Sequence, residues 1–249
     1  MFRVVIPARY ASARLPGKPL LKLAGKPLLQ WVFERAQRCA AAEIIIATDD
    51  QRIADAAQGF GARVVMTSPS HQSGTDRIAE VAEREGWSPD QIVVNLQGDE
   101  PLMPVALIDQ VAGLLAQHPH DAIATLASTI TALDAFLDPN VVKVVTDAQG
   151  RALYFSRAPV PWPRDSAPAG LASQRDFSGA RRHIGLYAYR VDALRRLSAA
   201  PPSALEMLEK LEQLRALEMG LSIRVAEAQV GPGPDVNTPE DLARVERLL

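Results

Sequence analysis

A single cysteine, Cys39, stands in 249 residues, on a segment that reads as helix, so no intramolecular disulfide can form and nothing points to an oxidising compartment. Charge of either sign is not in excess. Lys and Arg total 27 against 29 Asp and Glu, a formal net charge of −2, which gives no general attraction to nucleic acid or to an anionic membrane. Neither is therefore an expected partner, and any polyanion must be held by local groups. No apolar run approaches the length of a membrane span. Met1-Phe2-Arg3 leads straight into a strand rather than into a charged segment and a long apolar core, so no signal peptide is read and a cytoplasmic protein is expected. There is no internal repeat and no low-complexity tract. A G-x-G-x-x-G after the first strand is missing too, which removes the main support for a dinucleotide-binding dehydrogenase.

What is present begins with Val5-Ile6-Pro7-Ala8-Arg9-Tyr10-Ala11-Ser12-Ala13-Arg14-Leu15-Pro16-Gly17-Lys18-Pro19. An apolar strand runs directly into a loop of small residues, Pro and Gly carrying Arg9, Arg14 and Lys18. Small residues let backbone N–H groups approach anionic oxygens, and Arg and Lys supply the charge-assisted bonds that a triphosphate needs once it leaves water. The loop is not a Walker A, because Pro19 follows Gly17-Lys18 where a Ser or Thr is required. A basic surface loop is the competing reading.

Through the first half, apolar runs at 2–6, 43–48, 63–67, 91–96 and 122–128 alternate with helical spacing at 27–38, 51–59, 76–85 and 105–117. This is the pattern of a parallel sheet covered by helices. Pro27 suits the first position of a helix. After Ser128 the rhythm changes: 141–147 and 152–155 read as an antiparallel hairpin, 158–170 is Pro-rich, and 183–190 alternates as a strand. Ser203 is placed to cap a helix reaching Met219 and ended by Gly220; 221–228 is a strand, and Thr238-Pro239-Glu240-Asp241 opens a final helix. One α/β domain is expected over 1–249. It has a nucleotide-binding half (1–128), a mixed antiparallel insertion (129–230) and a C-terminal loop and helix (231–249).

Gln97-Gly98-Asp99-Glu100-Pro101 follows the strand at 91–96. Open α/β sheets bind ligands beyond the carboxyl ends of their strands, so this segment and the first loop share a crevice. A hard carboxylate there suggests Mg²⁺, with Asp99 the candidate; a plain turn before Pro101 is the alternative. Asp49-Asp50 reads as a helix cap. His71-Gln72-Ser73-Gly74-Thr75-Asp76-Arg77 offers hydroxyls and free donors at a helix start, either for a base edge or ribose or as an ordinary cap. His118 and His120 read as a surface turn. In Arg182-His183-Ile184-Gly185-Leu186-Tyr187, period two puts His183 and Tyr187 on one face and Ile184 and Leu186 on the other.

Together with Tyr154-Phe155-Ser156-Arg157 and Leu211-Glu212-Gln213-Leu214-Arg215, these blocks, in this order over essentially the whole chain, resemble the 3-deoxy-manno-octulosonate cytidylyltransferases, the CMP-KDO synthetases of Gram-negative bacteria. The resemblance implies a Rossmann-like, nucleotide-diphospho-sugar transferase-like fold whose insertion serves sugar binding and dimerisation. It implies a Mg²⁺-dependent homodimer that converts CTP and KDO to CMP-KDO and pyrophosphate for lipopolysaccharide assembly. Arg9, Arg14 and Lys18 would then act in catalysis on the triphosphate. Pro7, Ala8, Ser73, Gly74 and Asp99 would complete the nucleotide site, and Gln97, Arg157, His183, Tyr187, Glu212 and Gln213 would surround the sugar acid.

One departure bears on the metal. The family commonly has Val-Asp-Thr-Pro-Glu-Asp, its first Asp a ligand, where this chain reads Val236-Asn237-Thr238-Pro239-Glu240-Asp241. Asn237 or Asp235 is expected to reach the metal beside Asp99, with Asp235 favoured on charge. Alternatives are a related sugar acid, such as 8-amino-KDO or a nonulosonate, and a CTP-sensing homologue without turnover.

Overall fold

The computed structural model describes residues 1–11, 15–166, 170 and 173–249. Arg14 lies outside them. Among the described residues the framework is a nine-stranded sheet. Strands β1 (Phe2–Ala8), β4 (Glu43–Thr48), β5 (Arg63–Met66) and β6 (Ile92–Asn95) run parallel, in the order β6-β1-β4-β5. Between β1 and β4 lie a two-residue pair, β2 (Lys22–Leu23) and β3 (Lys26–Pro27), and helix α1 (Leu28–Ala36). Pro27 thus precedes the helix as its N-cap instead of filling the first helical position.

Alternation along the strands divides the core. Val5, Ile45, Ala47 and Val93 face one side, where helix α3 (Gly74–Arg84) covers them. Val4, Ile6, Ile46, Val94 and Leu96 face the other, under α1, α2 (Gln51–Gly59) and α4 (Val105–Gln117). Strands buried on both faces have to be near-continuously apolar, which is why they stand out in the sequence. Asp50 caps α2, its carboxylate accepting from the Arg52 N–H at 3.0 Å.

The second half is interleaved with the first. β7 (Ile123–Thr129) is followed by α5 (Leu133–Leu137), β8 (Lys143–Thr146) and β9 (Ala152–Ser156), the last two forming the expected hairpin. β10 (Arg181–Arg190) then inserts between β6 and β7, antiparallel to both. A register shift between Ile184 and Tyr187 breaks its pairing with β7. Tyr187 pairs with Asn95, the last residue of β6, so β10 brings its side chains to the carboxyl edge of the parallel strands. His183 and Tyr187 do share one face, with ring centroids 5.1 Å apart, while Ile184 and Leu186 enter the opposite core. Helix α6 (Val191–Ala199) follows without a linker. Arg190 is both the last strand residue and the helix N-cap, so no Gly, Pro or Asn marks the change.

The helix expected from Ser203 to Met219 is two helices, α7 (Ala204–Glu209) and α8 (Gln213–Glu218). Ser203 caps the first through a capping box with Glu206, but Lys210 adopts φ +54°, a left-handed conformation that ends it. Leu211 is buried just beyond. The break puts Glu212 and Gln213 at the start of a new helix. Parallel β11 (Ile223–Glu227) borders β7, and α9 (Pro239–Glu246) closes the chain behind a Thr238–Asp241 capping box.

Because a side chain at Lys210 carries left-handed strain, Lys210→Gly should raise stability by up to about 1 kcal/mol and the β-branched Lys210→Val should lower it by at least as much. Urea unfolding measures both, and a less stable glycine variant would contradict this account of the break.

Candidate active site

The ends of β1, β5 and β6 open on one edge, and the loops that follow them enclose a cavity of about 350 Å³. Pro7, Ala8 and Arg9 form its β1 side, Ser73 and Gly74 its α3 side, and Gln97, Gly98 and Asp99 its β6 side. Close approach explains the glycines. A Cβ at Gly98 would lie 3.1 Å from the Pro7 carbonyl oxygen, and one at Gly74 would lie 3.2 Å from the Pro7 ring. Gly17 adopts φ +69° and donates its N–H to the Tyr10 carbonyl at 3.0 Å, folding the first loop so that Lys18 turns inward.

Lys18 Nζ donates to Asp99 Oδ2 at 2.6 Å and to Asn237 Oδ1 at 3.2 Å. Asn237 lines the cavity with them. Asp235 is exposed and outside that lining, and accepts from Asn237 Nδ2 at 2.5 Å. The carboxyl group of Glu100 sits beneath, its Oε2 buried without a partner among the described residues. Burial, and then the neighbouring Asp99 and Asp235, push Glu100 up to about 8, so it is protonated at neutral pH. Among the described residues no group of three or more His, Cys, Asp or Glu is arranged to hold a metal ion. The donor set is instead one carboxylate and one amide oxygen converging on a positive charge. Hard oxygen donors of this kind fit magnesium, which takes one or two protein ligands and completes its shell with water and phosphate.

Of the two readings left open for Ser73, the helix cap is the one observed, and the residue also faces the cavity. Its hydroxyl accepts from the Asp76 N–H at 3.1 Å, capping α3, and the same residue lines the cavity. That hydroxyl also lies 3.3 Å from Glu212 Oε1, linking α3 to α8. A second cavity of about 110 Å³ begins there. It shares Gly74 and Gln97 with the first and adds Tyr187, Glu212 and Gln213. The Tyr187 hydroxyl is buried with no partner among the described residues, and burial holds it well above its ordinary pKa, so it remains a neutral donor. Burial likewise raises Glu212.

Several lining residues had been given no role. His71 is paired with Glu80 at 2.5 Å. Arg77 is buried beneath the first cavity, 3.3 Å from Asp49 and bonded to the Thr67 hydroxyl. Thr75, Asn95 and Tyr189 line the second cavity, where Asn95 Oδ1 accepts from Gln97 at 3.2 Å. Tyr189 was within reach of the sequence, since it follows Tyr187 at period two.

The Cytidylyltransferase family profile matches residues 3–223. A 3-deoxy-manno-octulosonate cytidylyltransferase of Thioalkalivibrio sulfidiphilus is 57% identical, covering all of this chain and 98% of the relative. One of Pseudomonas fluorescens is 54% identical with the same coverage. This chain belongs to the 3-deoxy-manno-octulosonate cytidylyltransferase family. A solved structure of CMP:2-keto-3-deoxy-manno-octonic acid synthetase complexed with CTP matches it with a TM-score of 0.89 at 43% identity, covering all of this chain and 98% of that one. A 4-diphosphocytidyl-2C-methyl-D-erythritol synthase shares the fold at 12% identity and a TM-score of 0.64, covering 99% and 96%.

In this cytidylyltransferase, two residues expected at the sugar lie outside both cavity linings. The Arg157 guanidinium donates to the carbonyls of Glu209 at 2.7 Å and Pro139 at 2.9 Å, which fixes it in the insertion. His183 packs edge-on to Phe155 behind Tyr187, its Nε2 3.0 Å from the Thr125 hydroxyl. Burial pushes its imidazole from 6.5 down to about 3.

Below pH 6.5 the unfolded chain therefore takes up a proton at His183 that the folded chain does not, so stability falls as pH drops toward 3 and is unaffected above 6.5. Between pH 7 and about pH 5, wild type should lose roughly 1–2 kcal/mol more than His183→Gln in urea unfolding. Equal losses would show that His183 is not held neutral by burial.

Proposed function

We propose that this chain transfers the cytidylyl group of CTP to 3-deoxy-manno-octulosonate (KDO), giving CMP-KDO and pyrophosphate. The observation that carries the reading is the junction of the two cavities at Gly74 and Gln97. The larger presents Arg9 and Lys18 to a polyphosphate. The smaller presents hydroxyl, carboxyl and amide groups, suited to a polyol. A sugar hydroxyl in the smaller cavity is thereby directed at a phosphate in the larger.

The anomeric oxygen of KDO attacks the α-phosphorus as its hydroxyl proton passes to solvent, and the bond to the pyrophosphate oxygen breaks, its electron pair leaving with pyrophosphate. Such a transfer asks the protein mainly for positioning and for positive charge around the phosphates. Arg9, Lys18 and Arg14 hold the triphosphate. The Lys18 ammonium has three donors, of which Asp99 and Asn237 account for two, and it stabilises charge on the departing phosphates. Ser73, Gly74 and the backbone at Pro7 and Ala8 orient the nucleoside, and Gln97, Tyr187, Glu212 and Gln213 orient the sugar acid. Arg157 and His183 act from behind these groups.

Magnesium belongs to the same reading, with Asp99 and Asn237 as its protein oxygens. When bound it supplies neutralisation of phosphate charge and acidification of an oxygen it holds. A homodimer belongs to the same reading. No helix among the described residues is long and apolar enough to cross a membrane. A cytoplasmic supply of CMP-KDO for lipopolysaccharide is the role proposed.

Pyrophosphate release from CTP and Mg²⁺ should be fastest with KDO, beside 8-amino-KDO, sialic acid and no sugar; preference for another acid would reassign the sugar. Lys18→Ala should lower kcat by roughly two to three orders of magnitude, as removal of one transition-state donor does elsewhere. An unchanged kcat would remove Lys18 from the chemistry.

A further inference from the structure

The backbone carrying Asn237 is pinned on every side. Val236 donates its N–H to the Asp99 carbonyl at 3.0 Å, and its side chain is fully buried with Leu23, Leu28 and Val245. The N–H groups of Asn237 and Thr238 both donate to Asp241 Oδ2 at 3.0 Å. Gly233 lies against Leu102 so closely that an added Cβ would stand 2.5 Å from the Leu102 carbonyl oxygen. What remains free is the rotation of the Asn237 side chain, and an amide has two ends of nearly equal size. One offers an acceptor to a cation, the other two N–H donors that repel it. The carboxylate of Asp235 can accept only from the NH₂ end, and it does so at 2.5 Å while Asn237 Oδ1 accepts from Lys18.

We propose that Asp235 is a positioning residue for the cation site: it holds the Asn237 amide with its oxygen turned toward Asp99 and Lys18, and lends through that amide the negative charge that asparagine lacks. Asp235 and Asn237 thus act as one relayed ligand, in which Asn237 makes the contact and Asp235 orients and polarises it. A hydrogen bond to an ionised partner both fixes geometry and strengthens the acceptor at the far end of the group. This proposal rests on the reading of Asp99 and Asn237 as magnesium oxygens.

The test is calorimetric binding of CTP over a series of Mg²⁺ concentrations, without sugar, so that no turnover contributes. Mg²⁺ should tighten CTP binding to the parent protein. Asp235→Ala should raise the Mg²⁺ concentration needed by about tenfold or more, the usual effect of losing a partner of a metal ligand. Asn237→Ala should cost at least as much. Asp235→Ala added to Asn237→Ala should cost nothing further, because a relay is already broken at its contact. Asp235→Ala combined with Asn237→Asp should return the midpoint to within about threefold of the parent, since a carboxylate has no wrong end to present. Additive single effects, or an Asp235→Ala midpoint equal to the parent's, would overturn the relay and leave the magnesium reading intact. A parent protein whose CTP affinity ignores Mg²⁺ would overturn that reading and the relay with it.

Discussion

The Lys18 ammonium, shared between Asp99 and Asn237, is the contact on which the rest of the site depends. It joins side chains 81 and 219 residues apart in sequence, gathering the first loop, the end of β6 and the C-terminal segment around one charge. The side chain of Lys18 is 12% exposed and that of Asp99 31%, so the ion pair is partly buried at the cavity wall. Its neighbours set the local balance. Glu100, kept protonated by burial, adds no charge, so Lys18 faces the carboxylates of Asp99 and, one amide further out, Asp235. On the proposed reading, a chain with a net charge of −2 would hold a polyphosphate through cations confined to the cavity wall.

The insertion of β10 between β6 and β7 is the second constraint. Pairing Tyr187 with Asn95 places a strand from the second half of the sequence at the mouth of the parallel strands. The break at Lys210 adds the start of α8 to the same edge. A sheet built only from parallel units would leave the larger cavity without a neighbour. Here a smaller polar cavity opens from its side, and Ser73 touches both through its bond to Glu212.

How much of this could be read from the sequence follows from the range of the forces involved. β1, β4, β6 and α2 were legible because burial on both faces, or helical periodicity with a capping Asp50, is written locally. The first loop was legible because Arg9 and Lys18 follow a buried strand among Pro and Gly. The position of β10 was not, since an antiparallel neighbour as distant as Asn95 is from Tyr187 leaves no mark on period two. The split of the 203–219 helix escaped because Lys210 is an ordinary helix former, so its left-handed backbone leaves no mark in the local sequence. That Arg157 and His183 stand outside both cavity linings was not legible, because the packing of Pro139, Phe155 and Glu209 around them leaves no local mark. Asn95 and Arg77 were overlooked for the opposite reason: each is ordinary in its local sequence and acquires meaning only from the cavity it lines.

The cavity between Arg9, Lys18, Gly74 and Asp99 is the proposed seat of the triphosphate. A crystal structure of the protein with CTP and Mg²⁺ tests this most directly. It should show the phosphates inside that cavity, with a phosphate oxygen within hydrogen-bond distance of Lys18 Nζ and the cytidine toward Ser73 and Gly74. Phosphates bound elsewhere, or a Lys18 that still bonds only Asp99 and Asn237, would contradict it.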